Sequence, residues 1–167
     1  MSIFRPTRFR LLIVTIAAMA ASRPSPAAAP AAATATAPAQ ERLWDAAIAG
    51  DTVALGRALT DGAKVDSLDV RRSQNGRMAL NWAAWHNHAP AIRFLVAHGA
   101  PVNGVNRTGF TALHHAAENG SADAAAALLD VGADPAWPNG AGQTAAEVAR
   151  ERGHPAIAER IENSAKR

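Results

Sequence analysis

The sequence predicts an all-α solenoid built from short helices in repeated helix–turn–helix units. Two observations predict this fold class. Apolar residues make up 49% of the 167 residues while aromatic residues make up only 5%, and a set of residues recurs at a spacing of 33. Alanine supplies most of the apolar fraction, and a core of small side chains suits closely packed short helices better than a β-sandwich. A fixed period of this size indicates stacked repeats.

Glycines and apolar residues carry the 33-residue period. Gly76, Gly109 and Gly142 follow one another at that spacing. One insertion of four residues, near Asp69 to Ser73, brings the earlier segment Ala46 to Gly50 into the same register. The other members at this spacing are Leu80, Leu113 and Ala146, the pairs Ala83–Ala84 and Ala116–Ala117, and Gly99 with Gly132. Four units in register predict an array that folds by nearest-neighbour stacking.

Elementary chain physics explains the repeated residues. Three glycines end first helices where the chain needs a left-handed conformation, and Asn87 is the next most tolerant residue at the equivalent position. Pro90 and Pro155 lie near the start of second helices, where a missing N–H costs little. We expect the alanine pairs to let neighbouring first helices approach closely and five leucines to fill the space between helix layers. The glycines are Gly50, Gly120 and Gly153, and the leucines are Leu80, Leu95, Leu113, Leu128 and Leu129.

The residues of this period resemble the ankyrin repeat. The third unit, GFTALHHAAENG from Gly109 to Gly120, is similar to the family pattern G-x-T-P-L-H-x-A-A-x-x-G, with Ala112 in place of proline. The second unit, GRMALNWAAWHNH, departs further, because Met78 stands in place of threonine and Asn81 in place of histidine. The resemblance implies helix–turn–helix units joined by β-turn or hairpin-like fingers. It also implies partner binding through the fingers and the concave face of the first helices.

Residues 1–20 predict a signal peptide. Arg5, Arg8 and Arg10 precede an apolar run from Leu11 to Ala21 that is too short to span a membrane as a helix. The small residues around Met19 predict cleavage near Ala20 and therefore a periplasmic or secreted protein. The alternatives are an uncleaved anchor, which would be the protein's one membrane contact, or a short buried helix.

The remaining chain divides into a linker and a repeat domain. Residues 21–40 are rich in alanine and proline and predict a disordered linker. The repeat domain is expected over residues 41–163, with units at about 41–72, 73–105, 106–138 and 139–163.

Charge and composition exclude several functional classes. The net charge is +3, but three of the 17 basic residues belong to the signal peptide, so the rest of the chain is balanced against its 14 acidic residues. A nucleic-acid partner is therefore not expected. The absence of cysteine excludes a disulfide framework, a cysteine zinc site and a thiol nucleophile. We expect no catalytic residues, no cofactor and no small-molecule substrate, because Ser121 lacks a strand–turn–helix elbow and no glycine-rich phosphate loop is present.

Turn chemistry explains most of the histidines. The resemblance implies that His114 hydrogen-bonds Thr111 at the start of a first helix, and that His88 and His154 occupy a position that is commonly histidine. His86 and His88 flank a turn residue and could bind a metal with a third ligand, but no acidic or cysteine partner lies nearby. We therefore expect no metal site.

Two tryptophans are the main candidates for partner binding. Trp82 and Trp85 are three residues apart and share one side of a first helix, flanked by His86, His115 and Glu118. Two exposed indoles would form an apolar patch of the kind that marks a binding site. Alternatively, the indoles pack against neighbouring second helices or against the long finger.

Two finger regions give further candidates. Arg71 and Arg72, with Arg77 a few residues on, lie at the four-residue insertion and could contact an anionic group; otherwise this is an ordinary solvated loop. Trp137 lies at another finger, where it either anchors a partner or covers the adjacent repeat.

The sequence as a whole indicates a non-enzymatic protein–protein interaction module exported to the periplasm or cell envelope, with an unidentified protein partner. Two alternatives are a regulator or protector of an exported enzyme in the envelope, and a secreted effector that acts on a host protein.

Overall fold

The computed structural model describes residues 37–72 and 74–166. The predicted signal peptide and residues 21–36 of the predicted linker lie outside these ranges. Eight helices form four helix pairs within the described residues, and an isolated antiparallel bridge between Asp69 and Arg77 accompanies them. The helices are α1 (Ala39–Ala49), α2 (Thr52–Thr60), α3 (Ala79–Trp85), α4 (Ala89–Ala97), α5 (Ala112–Asn119), α6 (Ala122–Asp130), α7 (Ala145–Glu151) and α8 (Pro155–Ala165). The predicted all-α repeat solenoid is confirmed.

The helices pack in two layers. The first helices α1, α3, α5 and α7 contact one another in chain order, and so do the second helices α2, α4, α6 and α8. The alanine pairs of α3 and α5 are fully buried, so that no larger side chain separates these helices. Four of the five predicted core leucines are buried between the layers, whereas Leu129 is only partly buried at the edge of the core. None of the helices in the described ranges combines the length and the apolar character needed to cross a membrane.

The first helices end as predicted. Gly50 and Gly120 have φ values of 73° and 74°, and Asn87 has a φ of 59°. A Cβ atom at Gly50 would lie 2.6 Å from the ring of His88, so this position also lacks space for a side chain. Asn87 also connects two repeats through its side chain. Its Oδ1 accepts a hydrogen bond of 2.9 Å from the N–H of Ala124 in the first turn of α6.

The first helices begin with different capping arrangements. In α5, Oγ1 of Thr111 lies 2.8 Å from Nδ1 of His114, which confirms the hydrogen bond that the family resemblance implied. In α7, Oγ1 of Thr144 accepts from the N–H of Glu147 at 3.3 Å, and the Glu147 carboxylate accepts from the Thr144 N–H at 2.8 Å. These reciprocal bonds satisfy backbone donors that a helix start otherwise leaves unpaired.

Each finger is built around a buried Asx residue that the sequence pattern did not single out. Oδ1 of Asn106 accepts from the N–H groups of Thr108 and Phe110, both at 2.9 Å. Asn139 lies 33 residues later and makes the equivalent bonds, and Asp69 occupies this place in the longer finger. The long finger (residues 69–77) carries the four-residue insertion. All three side chains are buried, and their spacing was available in the sequence as a signal.

Candidate functional site

A cleft of about 230 Å³ lies where the long finger and the next finger meet helix α5. We call it the finger cleft. Backbone hydrogen bonding joins these two fingers, since the N–H of Arg107 donates to the carbonyl of Asn75 at 2.9 Å. The fingers and α5 thus hold the walls of the cleft at fixed positions. Its lining includes Asn75, Arg77, Asn106, Phe110, His115 and Glu118.

Arg77 covers the two tryptophans of α3. The guanidinium carbon of Arg77 lies 4.6 Å from the ring centroid of Trp82 and 4.3 Å from that of Trp85. Trp82 is only 6% exposed, so the expectation of two exposed indoles is wrong for this residue. The alternative, packing against the long finger, is correct for Trp82, because Arg77 belongs to that finger. Trp85 remains half-buried at the edge of the cleft.

His115 forms part of the wall rather than the open surface. It is 3% exposed, so this residue, predicted to flank the binding tryptophans, offers a partner almost no surface. Its ring meets the edge of Trp85 at a centroid distance of 6.0 Å, and its Nε2 lies 3.5 Å from Nδ2 of Asn106. Burial lowers the pKa of His115 because it disfavours the charged ring, although Glu118 acts in the opposite direction. The other predicted histidine, His86, is exposed and stacks beside Trp82.

Glu118 is tied to the next repeat. Its side chain is 19% exposed, and Oε1 accepts a hydrogen bond of 2.7 Å from Arg152 at the end of α7. Its other oxygen lies 3.7 Å from Nδ1 of His115. The adjacent His115 ring, and then Arg152, hold the pKa of Glu118 below its ordinary value. Glu118 therefore joins two repeats and also lines the finger cleft.

The two arginines predicted as an anionic contact bind acidic groups of the protein itself. Arg71 forms ion pairs with Asp69 at 3.0 Å and with Glu41 at 3.1 Å. Arg72 binds Asp45 at 3.1 Å, and Arg71 also reaches that carboxylate. The hydrogen bond with Asp69 raises the pKa of Arg71 above its ordinary value. The hypothesis of a free anionic contact is wrong for Arg71, because the insertion places it among carboxylates of α1 and of the finger.

Arg77 differs from both of these arginines. Its side chain makes no ion pair and no hydrogen bond with any residue in 37–72 or 74–166. Burial lowers the pKa of Arg77 below its ordinary value, with Glu118 opposing the effect. The sequence pointed to Arg77 only as a neighbour of the basic pair. Its position two residues before helix α3, which carries both tryptophans, is the feature that could have distinguished it.

Comparison with known proteins decides the family. A family model described as ankyrin repeats, in three copies, matches residues 43–139. The chain is an ankyrin-repeat protein. Such repeats generally mediate protein–protein interaction, and the family is typically a non-enzymatic interaction domain.

The ankyrin-repeat protein is similar to parts of much longer proteins. It is 35% identical over 95 residues to the ankyrin repeat domain-containing protein SAT10 of Stachybotrys chartarum, which covers 57% of this chain and 5% of that protein. It is 37% identical over 83 residues to protein phosphatase 1 regulatory subunit 12A of Mus musculus, covering 50% of this chain and 8% of that protein. It is 34% identical over 94 residues to the B-cell lymphoma 3 protein homolog of Mus musculus, covering 56% and 20% respectively. The chain thus spans a fifth or less of these relatives.

Three further residues considered in the sequence analysis, Trp137, His88 and Ser121, do not line the finger cleft. Trp137 is 40% exposed in the turn between α6 and α7, and its role in partner binding stays a prediction. Nε2 of His88 lies 2.9 Å from the carbonyl of Ile48, so His88 connects two repeats. Ser121 donates to the carbonyl of Trp85 at 3.0 Å and likewise connects repeats. Across the described part of the chain, no three histidine or acidic side chains cluster closely enough to hold a metal ion.

Proposed function

We propose that this ankyrin-repeat protein is an exported, non-enzymatic binding module that captures a protein partner at the finger cleft and along the adjoining surface of α3. One observation carries the choice of surface. In the described residues, the three buried side-chain polar atoms without a hydrogen-bond partner all belong to α3 and α5. They are Nδ2 of Asn81, Nε1 of Trp82 and Nδ1 of His115.

Unpartnered buried polar atoms lower the stability of a folded protein. Each costs about 1–3 kcal/mol when it stays unsatisfied. Violations of local rules concentrate at functional sites, where a residue is retained for something other than stability. Two of the three atoms lie on α3, whose unit also departs further from the ankyrin pattern than the third unit does. The three atoms are buried, so this concentration supports a binding role for the exposed residues beside them on α3.

The accessible part of this surface has suitable chemistry for a protein partner. Trp85 is half-buried, and the exposed His86 follows it directly. Partly buried aromatic rings bordered by polar groups are common anchors in protein interfaces. On the second-helix face, Phe94 stacks on His98 at a ring-centroid distance of 4.1 Å, but no second helix in the described ranges holds an unpartnered buried polar side-chain atom.

A pull-down with surface variants tests the function. The protein would be cross-linked in the envelope fraction of its native host, and captured proteins identified by mass spectrometry. The test variants are Trp85→Ala and His86→Ala, because Trp82→Ala would remove a core contact and confuse binding with stability. Val53→Ala, on the opposite helix layer, is the matched control.

The expected result is one reproducible partner that the native protein and Val53→Ala capture alike. Trp85→Ala should reduce capture at least about tenfold, the effect of 1.4 kcal/mol, with His86→Ala weaker. Equal capture by all four proteins would mean that α3 is not the binding surface.

The basic residues and the short apolar run within residues 1–20 support export. Mass spectrometry of the protein from its native host should find a mature N-terminus near Ala21. Recovery of an intact Met1 terminus in the soluble cytoplasmic fraction would contradict export.

A further inference from the structure

Two kinds of contact hold Arg77 in position. Its backbone forms the bridge with Asp69, with N–H to O distances of 2.8 and 3.2 Å. Its guanidinium lies over the rings of Trp82 and Trp85. Cation–π contact of this kind restrains the guanidinium without using its N–H groups. Binding a ligand at Arg77 would therefore cost little additional side-chain entropy.

The N–H groups of Arg77 are unused among the described residues. A guanidinium carries five N–H donors. Arg71 and Arg72, in the same finger, direct theirs to carboxylates, whereas Arg77 has no such acceptor. Glu118 is the nearest acidic influence on Arg77, but its own oxygens face Arg152 and His115. Arg77 thus presents at the wall of the cleft a fork that no residue of 37–72 or 74–166 pairs with.

The size and lining of the cleft select the chemistry of what binds this fork. A volume of about 230 Å³ is below the 300–1,000 Å³ usual for drug-sized ligands, and it suits a single side chain. A planar guanidinium fork matches a carboxylate in a two-bond arrangement. Glu118 in the same cleft would repel a dianionic phosphate more strongly than a singly charged carboxylate.

We propose that the partner presents an acidic peptide segment, one carboxylate of which binds the Arg77 fork in the finger cleft. This inference rests on the proposed function, because it assigns the chemistry of the partner at the same surface. The binding group is an aspartate or glutamate side chain of a protein.

Tryptophan fluorescence of the purified chain tests the proposal, since Trp82 and Trp85 lie directly under the binding group. The probes are capped hexaglutamate, hexaglutamine of equal length without carboxylates, and inorganic phosphate, all at low salt. Hexaglutamate should change the emission saturably, whereas hexaglutamine should not. Equal changes with both peptides, or none with hexaglutamate, would overturn the proposal. Phosphate that displaces hexaglutamate at equal concentration would overturn the choice of a carboxylate.

Variants of two arginines in the long finger locate the site. Arg77→Gln should weaken hexaglutamate binding at least tenfold, whereas Arg72→Gln should change it less than twofold. Arg77→Lys keeps the positive charge but lacks the planar fork, so its affinity for hexaglutamate should also fall several-fold. Native-like affinity in Arg77→Lys would overturn the fork geometry. If both Arg77 variants melt far below the native protein, the comparison of hexaglutamate with hexaglutamine on native protein decides alone.

The two proposals fail separately. In one outcome, hexaglutamate fails to bind while Trp85→Ala still reduces capture of the partner. That result would overturn the acidic segment and would leave the proposed binding function intact. Capture that is indifferent to Trp85→Ala overturns the binding function itself.

Discussion

Helices α3 and α5 occupy equivalent places in adjacent repeats, yet their first turns are built differently. In α5, His114 lies 2.8 Å from the Thr111 hydroxyl through Nδ1 and 3.0 Å from the carbonyl of Gln143 in the next repeat through Nε2. In α3, Oδ1 of Asn81 accepts from the N–H of Met78 at 2.9 Å, and its Nδ2 stays buried without a partner. Both ring nitrogens of the capping residue His114 have partners, whereas the amide nitrogen of the capping residue Asn81 has none among the described residues.

The difference separates stability from binding along the array. The α5 turn connects its own helix start to the following finger, so it strengthens an interface between repeats. The α3 turn has no bond equivalent to that between His114 and Gln143 among the described residues. Its helix instead carries the two indole rings that Arg77 covers. Stability should therefore respond most to changes in α5, and partner binding to changes around α3.

The largest effect on stability should come from the core of α5. Leu113 is 1% exposed, and Leu113→Ala should lower the free energy of unfolding by about 2–5 kcal/mol through the cavity it leaves. Urea denaturation measures this, and in so short an array the loss could unfold the whole domain. Leu129→Ala, at a partly buried position, is the control and should cost less. A loss below about 1 kcal/mol at Leu113 would mean that this face does not carry the core.

Most of the fold could be predicted from the sequence because each repeat adopts the same backbone conformation at equivalent positions. The glycine period, the alanine pairs and the substitute Asn87 all predicted what the structure contains. The buried Asx residue of each finger, such as Asn106, was missed although it obeys the same spacing. Its oxygen binds backbone N–H groups of a turn that hydrophobic periodicity does not reveal.

A smaller effect should come from the capping histidine of α5. His114→Ala removes the bonds to Thr111 and Gln143 and leaves buried polar groups without that partner. Its cost should be about 1–3 kcal/mol by urea denaturation. Asn81→Ala at the equivalent position of α3 should cost clearly less, because Asn81 already has one unpartnered atom. Equal costs at the two positions would remove the distinction between the two turns.

The candidate site was less predictable than the fold, for an identifiable reason. Helical spacing placed Trp82 and Trp85 on one side of α3, but spacing says nothing about what covers that side. The long finger folds back so that Arg77 lies over both rings. Arg71 likewise depends on carboxylates distant in the sequence, such as Glu41. Long-range contacts made by an inserted loop leave no periodic pattern in the sequence, so only the structure reveals them.

Acidification should destabilise the array, in part through the two buried histidines of α5. Burial lowers the pKa values of His114 and His115, so the unfolded chain binds these protons more readily than the folded one. Their contribution to stability is fully present above the unfolded value of about 6.5 and is lost as pH falls below it. The groups facing His115 are Glu118, which favours its charged form, and Arg77 and His114, which oppose it.

The measurement is the urea midpoint between pH 7.5 and pH 5. The midpoint should fall as the pH falls through this range, and His115→Gln should flatten the slope. A midpoint that rises on acidification, or a slope unchanged in His115→Gln, would contradict the assignment of a buried neutral ring.

The smallest effect should be a gain, obtained by rebuilding the α5 turn in α3. Met78→Thr with Asn81→His supplies a hydroxyl and a ring that can bond each other as Thr111 and His114 do. One side chain becomes smaller and the other larger, so the pair of changes limits the strain that a single larger side chain would cause. Replacing an unpartnered amide with a hydrogen-bonded ring should stabilise the protein by about 0.5–1.5 kcal/mol in urea. Asn81→His alone should gain less stability, since Met78 offers no hydroxyl.

The same double variant also tests whether stability and binding are coupled. Because Arg77 and Trp85 are unchanged, its affinity for hexaglutamate should stay within about twofold of the native value. A larger loss of affinity would show that stability and binding are coupled through this turn. No gain in stability would mean that the Asn81 amide is already satisfied, for example by a buried water, and that the two turns differ only in their bonding pattern.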